Sequence, residues 1–255
     1  MSKQSFERAS SERTISDCGA DSAVNFSQHL PVPRPAANRA GNRRRAFAIR
    51  SAGGIPKRVF DICFATLALL SLALPMLVIA LLIRLGTKGP VLFAHQRVGL
   101  DGRLFPCLKF RTMVVDADAR LAELLRADSA AAAEFSQTRK LRKDPRIIPI
   151  VGTTLRKLSL DELPQFFNVL VGQMSVVGPR PVTPDEISEH YGWAHPYTKA
   201  RPGITGLWQV SGRNDLGYDE RMNLDAKYVR NLSFGMDLMI LVKTAAVVCL
   251  QRNGH

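Results

Sequence analysis

Acidic residues are scarce in this chain, and they are missing where basic residues crowd. Among 255 residues there are 22 Asp and Glu against 35 Lys and Arg, a net charge of +13. Between Arg34 and Arg58 eight basic residues occur with no acid. That imbalance calls for an anionic partner: nucleic acid, a lipid surface or a phosphorylated substrate. Cysteine is sparse too. Cys18, Cys63, Cys107 and Cys249 form no CxxC and have no histidines at zinc spacing, so neither a disulfide framework nor a zinc module is expected. No GxxxxGK[ST] is present, no GxGxxG opens a helix after a strand, and there is no HExxH. His95, His190 and His195 stand alone and read as surface or loop side chains. Internal repeats are lacking as well.

What is present begins with a basic arm, residues 1–54, rich in Ser, Ala, Arg, Asn and Pro. It has no sustained period and reads as disordered. "NRRR" could address nucleic acid, but a lipid surface explains the charge better, because Ile62–Ile83 follows. That run holds 22 residues without a charge, about 33 Å as a helix and enough to cross a bilayer. A long polar stretch precedes it and no small-residue cleavage site follows, so it does not read as a signal peptide. Pro75 lies near its middle, and both flanks are basic. An ordinary span has one basic side. The residues favour a re-entrant helix, broken near Pro75, over a simple span or a buried core helix. We therefore take 55–88 as the membrane segment and 89–255 as a cytoplasmic domain, with the arm on anionic headgroups.

The remainder reads as α+β and mainly helical. "VLFAHQRVGLDGRLFPCLKFRTM" alternates like an antiparallel hairpin turning at Leu100–Gly102. "DADARLAELLRADSAAAAEF" is a helix by composition and spacing. "RPGITGLWQVSGRND" is loop and short strand. "FGMDLMILVKTAAVVCL" is an apolar helix, buried or lying in the membrane interface.

Candidate chemistry centres on "LRKLSLDELPQF", where Asp161 and Glu162 sit side by side. Ser159 and Glu162 match a capping box, which would make the pair structural. If Asp161 is the cap instead, Pro164 fits the first turn. Either way Asp161 is expected at the start of a helix running to Gly172, where the dipole favours an ionised carboxylate. Nearby in sequence are Arg156 and, after the helix, Arg180. "GPRP", "RPGITG" and "SGR" each pair glycine with arginine, suiting close backbone approach and a guanidinium fork on phosphate. Asp116 and Asp118 form a DxD, which in many glycosyltransferases binds a metal–nucleotide; Asp116 also reads as an N-cap. Together these features suggest a membrane enzyme handling phosphates.

"KRVFD", "QRVG", "LKFRTM", "LRKLSLDELPQFFNVLVGQMSVVGPRPV", "RPGITGLWQVSGRN" and "LDAKYV" resemble the bacterial sugar transferases, the monotopic phosphoglycosyl transferases. The resemblance runs from about Lys57 to the C-terminus, outside the basic arm. It looks closest to the branch that starts exopolysaccharide synthesis with galactose-1-phosphate or glucose-1-phosphate. It implies that a UDP-sugar donates sugar-1-phosphate to undecaprenyl phosphate and that UMP leaves. It implies Asp161 as nucleophile, through a covalent phosphosugar intermediate, and Mg²⁺ held at Asp161 and Glu162. By the same resemblance Arg156 and Arg213 clamp phosphate, Arg180 contacts the nucleotide, and Asp225 is a polar residue near the site whose role stays open. It also implies a bacterial inner-membrane location, with the catalytic domain facing the cytoplasm. Pro75 matches the family's helix-breaking proline. Many members have Ser before that proline where this chain has Leu74, and Ser71 one turn earlier is placed to bond a backbone carbonyl. No nucleic-acid partner is expected, and a homodimer is left open. Two other readings compete: a DxD glycosyltransferase releasing UDP, and a non-catalytic, membrane-tethered basic module.

Overall fold

The computed structural model describes residues 53–138, 141, 144–193, 195–212 and 216–250. Apart from Gly53 and Gly54 the basic arm lies outside them, as does Arg213. The longest element, α1 (Gly54–Gly86), is continuous through Pro75. The break expected near Pro75 is therefore not present. Proline removes its own N–H and crowds one carbonyl, and the remaining bonds of so long a helix keep it wound. Ser71 donates to the carbonyl of Ala68 at 3.1 Å, the local bond anticipated for it. By length and composition α1 is able to cross a membrane. Leu67, Leu70 and Leu74 are 68%, 73% and 70% exposed, which sets aside the buried core helix.

The rest of the fold meets α1 in two places. Near its start Lys57, Asp61 and Ala65 are buried. Lys57 Nζ lies 2.6 Å from Asp237 Oδ2 and donates to the carbonyl of Val177 at 2.9 Å. Asp61 Oδ1 accepts from Ser175 Oγ and from the Val176 N–H, both at 2.9 Å. Arg58 forks onto the carbonyls of Val169 and Leu170 at 2.6 and 2.7 Å. Toward the other end Ile79 and Ile83 pack with Phe110 and Leu155.

After α1 comes the expected hairpin. β1 (Leu92–Val98) and β2 (Leu104–Phe110) pair antiparallel, with Phe93 opposite Lys109, His95 opposite Cys107 and Arg97 opposite Phe105. The turn Leu100–Gly102 carries Asp101 at φ 57°, a left-handed position that Asp tolerates. The alanine-rich stretch forms two helices rather than one, α2 (Ala117–Ala127) and α3 (Ser129–Thr138). Asp128 divides them, because its Oδ1 accepts from the N–H groups of Ala130 and Ala131 at 2.9 and 3.0 Å. That is N-cap chemistry, which outweighs helical composition at one position.

Then follow α4 (Val151–Lys157) and α5 (Gln165–Val171), the latter ended by Gly172 at φ 85°, as expected of its glycine. A second sheet was not foreseen: β3 (Ser175–Val177) and β4 (Gly203–Thr205) run parallel, Ser175 opposite Gly203 and Val177 opposite Thr205. A short helix α6 (Pro184–Glu186), opened by a Thr183–Glu186 capping box, leads into a π-turn at Ile187–Tyr191. The chain closes with α7 (Tyr218–Arg230) and α8 (Phe234–Leu250). In α8, Asp237 and Ile240 are buried while Leu238 and Val242 are exposed, so one face joins the core and the other is apolar and open. The main core gathers Ala65 of α1, Phe105 and Cys107 of β2, Val176 and Val177 of β3, Tyr228 of α7 and Ile240 of α8. The fold is thus α+β and mainly helical, as expected.

The Lys57–Asp237 pair is almost fully buried, at 8% and 3% side-chain exposure. Removing one partner strands the other charge. Lys57→Met is expected to cost ~3–5 kcal/mol of unfolding free energy, and Lys57→Met with Asp237→Leu substantially less. Denaturant unfolding of detergent-held protein checks the difference.

Candidate active site

The turn carrying Asp161 and Glu162 is a 3₁₀ turn, Leu160–Glu162, that precedes α5. Ser159 enters it at φ 55°, ψ 23°, and its hydroxyl makes no cap bond. The expected capping box is therefore absent. In a left-handed residue the hydroxyl is turned off the following N–H groups, and the Ser159 carbonyl accepts from Glu162 N at 3.3 Å instead. Nor does Asp161 cap α5, whose cap position is Pro164.

Both carboxylates turn to one cation, Lys109 of β2. Its Nζ lies 2.5 Å from Glu162 Oε1 and 3.8 Å from Asp161 Oδ2. Asp161 is the more enclosed, at 14% side-chain exposure against 34% for Glu162. Burial holds the Asp161 carboxyl above the usual carboxylate range; Lys109 pulls it down, Glu162 pushes it up, and Arg156 adds a smaller downward pull. Sequence reasoning missed Lys109. The signal was there: Phe105, Cys107 and Lys109 alternate along β2, so a lysine occupies the face whose other two members are core.

One side chain fixes β2 beside the turn. Asn168 of α5 accepts from the Leu108 N–H at 2.9 Å and donates to the Pro106 carbonyl at 2.7 Å, like a third strand. The turn shares an apolar cluster with α1: Leu160 and Leu163 pack against the group formed by Ile79, Ile83, Phe110 and Leu155.

Across the hairpin face lie His95, Cys107 and Arg97. Burial raises the Cys107 thiol to about 11, and the charges felt there are Lys109, Arg97, Glu162 and Arg180. Along that face Cys107 stands between Phe105, opposite Arg97, and Lys109, which holds the acid pair. Arg97 bonds Glu186 Oε2 and the Pro181 carbonyl, each at 3.3 Å. The end of β1 is tied to the segment after "GPRP": Val98 N donates to Val182 O at 2.9 Å, and Tyr197 OH donates to Val98 O at 2.8 Å.

Arg180 is exposed, with its guanidinium 5.7 Å from the centroid of the Trp208 ring. Asp225 is fully buried on α7; its Oδ2 accepts from Tyr191 OH at 2.9 Å. Burial pushes its carboxyl up to about 7, with Tyr191 and Arg180 pulling down. Arg156, at the end of α4, is exposed. The fold thus places Asp161, Glu162 and Arg156 at one end of the hairpin face and Arg180 with Asp225 at the other. Arg201 is spent elsewhere, donating from Nε to the Gly172 carbonyl at 2.9 Å. The glycines were expected to admit a ligand. Gly178 and Gly203 instead pack strand on strand: a Cβ on Gly178 would stand 2.7 Å from Gly203 N. Asp116 of the DxD is exposed and paired with Arg120 at 2.8 Å.

The family model described as bacterial sugar transferase matches residues 53–251, a range that holds every site residue named above. The chain belongs to the bacterial sugar transferase family. Among its relatives, exopolysaccharide production protein ExoY of Sinorhizobium fredii is 48% identical over 208 residues, covering 82% of this chain and 92% of that protein. Undecaprenyl-phosphate galactose phosphotransferase of Salmonella typhimurium is 49% identical over 198 residues, 78% of this chain and 41% of that protein. UDP-galactose-lipid carrier transferase of Erwinia amylovora is 46% identical over 236 residues, 92% of this chain and 47% of that protein. The last match reaches into residues 1–54, further than the motifs alone. Membership makes this sugar transferase an enzyme and sets aside the binding-module reading.

Of the two cations that lower the Asp161 carboxyl, Lys109 acts more strongly than Arg156. In Lys109→Met that carboxyl stays protonated to higher pH, so the acid limb of the pH–rate profile is expected to move upward. Loss of one charge-assisted bond at the site is expected to cost roughly 10- to 100-fold in kcat/KM. Rates across pH for both proteins check both effects.

Proposed function

We propose that this enzyme transfers a sugar-1-phosphate from a UDP-sugar to undecaprenyl phosphate, releasing UMP, as the first membrane step of exopolysaccharide synthesis. The observation that carries the reading is the apolar cluster that the Asp161 turn shares with α1, which sets a largely enclosed carboxylate near an exposed apolar helix. A soluble sugar nucleotide and a lipid phosphate meet only at such a place. The relatives named for galactose make galactose-1-phosphate the first sugar to test.

Asp161 attacks the phosphorus bearing the sugar. The bond from that phosphorus to the bridging oxygen breaks, and the oxygen leaves on UMP. An oxygen of the lipid phosphate then attacks the same phosphorus and frees Asp161. A carboxylate approaching a diphosphate meets like charge, so cations have to gather there. Lys109 stands at the acid pair, Arg156 is felt there, and Arg97 and Arg180 line the other end. Two adjacent carboxylates drawn to one ammonium also fit a hard divalent cation, which takes one or two carboxylates and completes its shell with phosphate oxygens and water. Glu162 and Asp161 would hold Mg²⁺, which when bound neutralises diphosphate charge.

We infer that α1, though wound without a break, bends at Pro75, where proline removes a helix bond, and so enters and leaves by one face, with the catalytic domain on the cytoplasmic side of the inner membrane. From Lys57 to Ile83 the helix rises ~39 Å, more than the ~30 Å of a hydrocarbon core. A crossing helix would put those residues on opposite sides, yet both pack on the same domain. Basic residues flank both ends. The exposed apolar face of α8 then lies in the interface.

The test is product identity. Detergent-solubilised enzyme with Mg²⁺, undecaprenyl phosphate and UDP-galactose or UDP-glucose is expected to release UMP. Asp161→Asn is expected to release none while staying membrane-associated. UDP as the product would overturn the reading in favour of the DxD.

A further inference from the structure

Two buried polar atoms lack a partner among the described residues in one corner of the site: Asp225 Oδ1, an acceptor, and Trp208 Nε1, a donor. Asp225 is fully buried and Trp208 is 4% exposed. Leaving such groups unpaired costs more than the bond itself is worth, so each is a position where a ligand atom or a water belongs. They share surroundings. α7 packs on the turn Trp208–Val210. Arg221, one helical turn before Asp225, lies 4.9 Å over the Trp208 ring, and Arg180 lies 5.7 Å from the same ring while its charge is felt at Asp225.

We propose that Asp225 and Trp208 together recognise the uracil ring of the donor nucleotide, a deepening that rests on the UDP-sugar reading above. Uracil presents an N3–H donor flanked by two carbonyl acceptors. Asp225 Oδ1 takes the N3–H, and Trp208 Nε1–H gives to a neighbouring carbonyl. Cytosine has an acceptor at N3 and would set a lone pair against the carboxylate. Tyr191 acts as a positioning residue, because its bond to Oδ2 leaves Oδ1 as the free oxygen. A sugar hydroxyl is the competing ligand for the same two atoms, but the sugar has to lie against Asp161. Asp225 bonds Tyr191, which packs on the cluster around Val98 at one end of the hairpin, whereas Lys109, with Asp161 and Glu162, stands toward the other end, opposite Phe93. The nucleoside is the part of the donor that extends away from the nucleophile.

The experiment is calorimetric binding of UMP, N3-methyl-UMP and CMP to the full chain in nanodiscs, beside turnover of UDP-galactose. Wild type is expected to bind UMP roughly tenfold or more tighter than either analogue, since a site built to bond a polar edge rejects one that lacks it. Asp225→Asn, which offers a donor, is expected to bring UMP and CMP within about threefold of each other. Trp208→Phe keeps a ring under the guanidinium groups and is expected to weaken UMP binding. The analogue series uses the unaltered chain, so it does not depend on a variant folding. Equal binding of UMP and N3-methyl-UMP by a wild type that turns over UDP-galactose would overturn the uracil assignment alone. So would an Asp225→Asn change in preference between UDP-galactose and UDP-glucose with the UMP-to-CMP ratio intact. A wild type that neither binds UMP nor turns over UDP-sugars would overturn the reaction itself.

Discussion

The fold depends on a buried ammonium. Lys57 at the start of α1 reaches Asp237 at the start of α8 and the last carbonyl of β3. Tyr228 of α7 closes the group, its hydroxyl 2.7 Å from Asp237 Oδ1 and 3.0 Å from the same Val177 carbonyl. Four elements from distant parts of the chain meet at one charge pair. Charges so enclosed are stable only while each is matched, so any shift of α1 or α8 is resisted electrostatically as well as by packing. Asp61 and Arg58, one turn or less away, extend the same logic to β3 and α5.

From that anchor the site follows. β3 leads through Gly178 to Arg180, and β4 holds the glycine-lined crossing that lets the two strands touch. α5, held at its end by Arg58, carries Asn168 to β2 and so sets Lys109 against the acid pair. The acid pair therefore sits in a frame of long-range polar contacts rather than at the end of a long helix. That frame explains how two adjacent carboxylates are kept so close in a partly enclosed turn: a single lysine on a core-facing strand position balances them.

How much of this the sequence discloses depends on the range of the interaction. The hairpin was legible because Asp101–Gly102 marks its turn, and the end of α5 because Gly172 suits a left-handed residue. α1 was legible from 22 uncharged residues. The parallel pairing of β3 with β4 was not, since two three-residue strands far apart in sequence carry no local signal. Asp128 hid within an alanine-rich run, where composition outvoted one capping residue. The acid pair was found, but its capping box was wrong, because the left-handed turn at Ser159 cannot be read from residue types. Lys109 and Arg97 stood inside quoted motifs without a role, since their importance comes from which hairpin face they share. Among the site residues, Arg156 and Arg180 surfaced through proximity in sequence to the acid pair. Asp225 drew attention only through resemblance, and its orphaned oxygen appears only once α7 is folded.

The two-point seating of α1 has a consequence for modularity. A membrane anchor is commonly a detachable part, joined to its enzyme by a linker and exchangeable for another. Here Ala65 belongs to the main core, and Ile79 with Ile83 belongs to the cluster against which the Asp161 turn packs. Cutting the chain after α1 would leave Asp237 without its counter-charge and the cluster under the Asp161 turn without Ile79 and Ile83. The long apolar helix is thus a structural member of the folded unit. Soluble fragments and swapped anchors belong to a different architecture from this one.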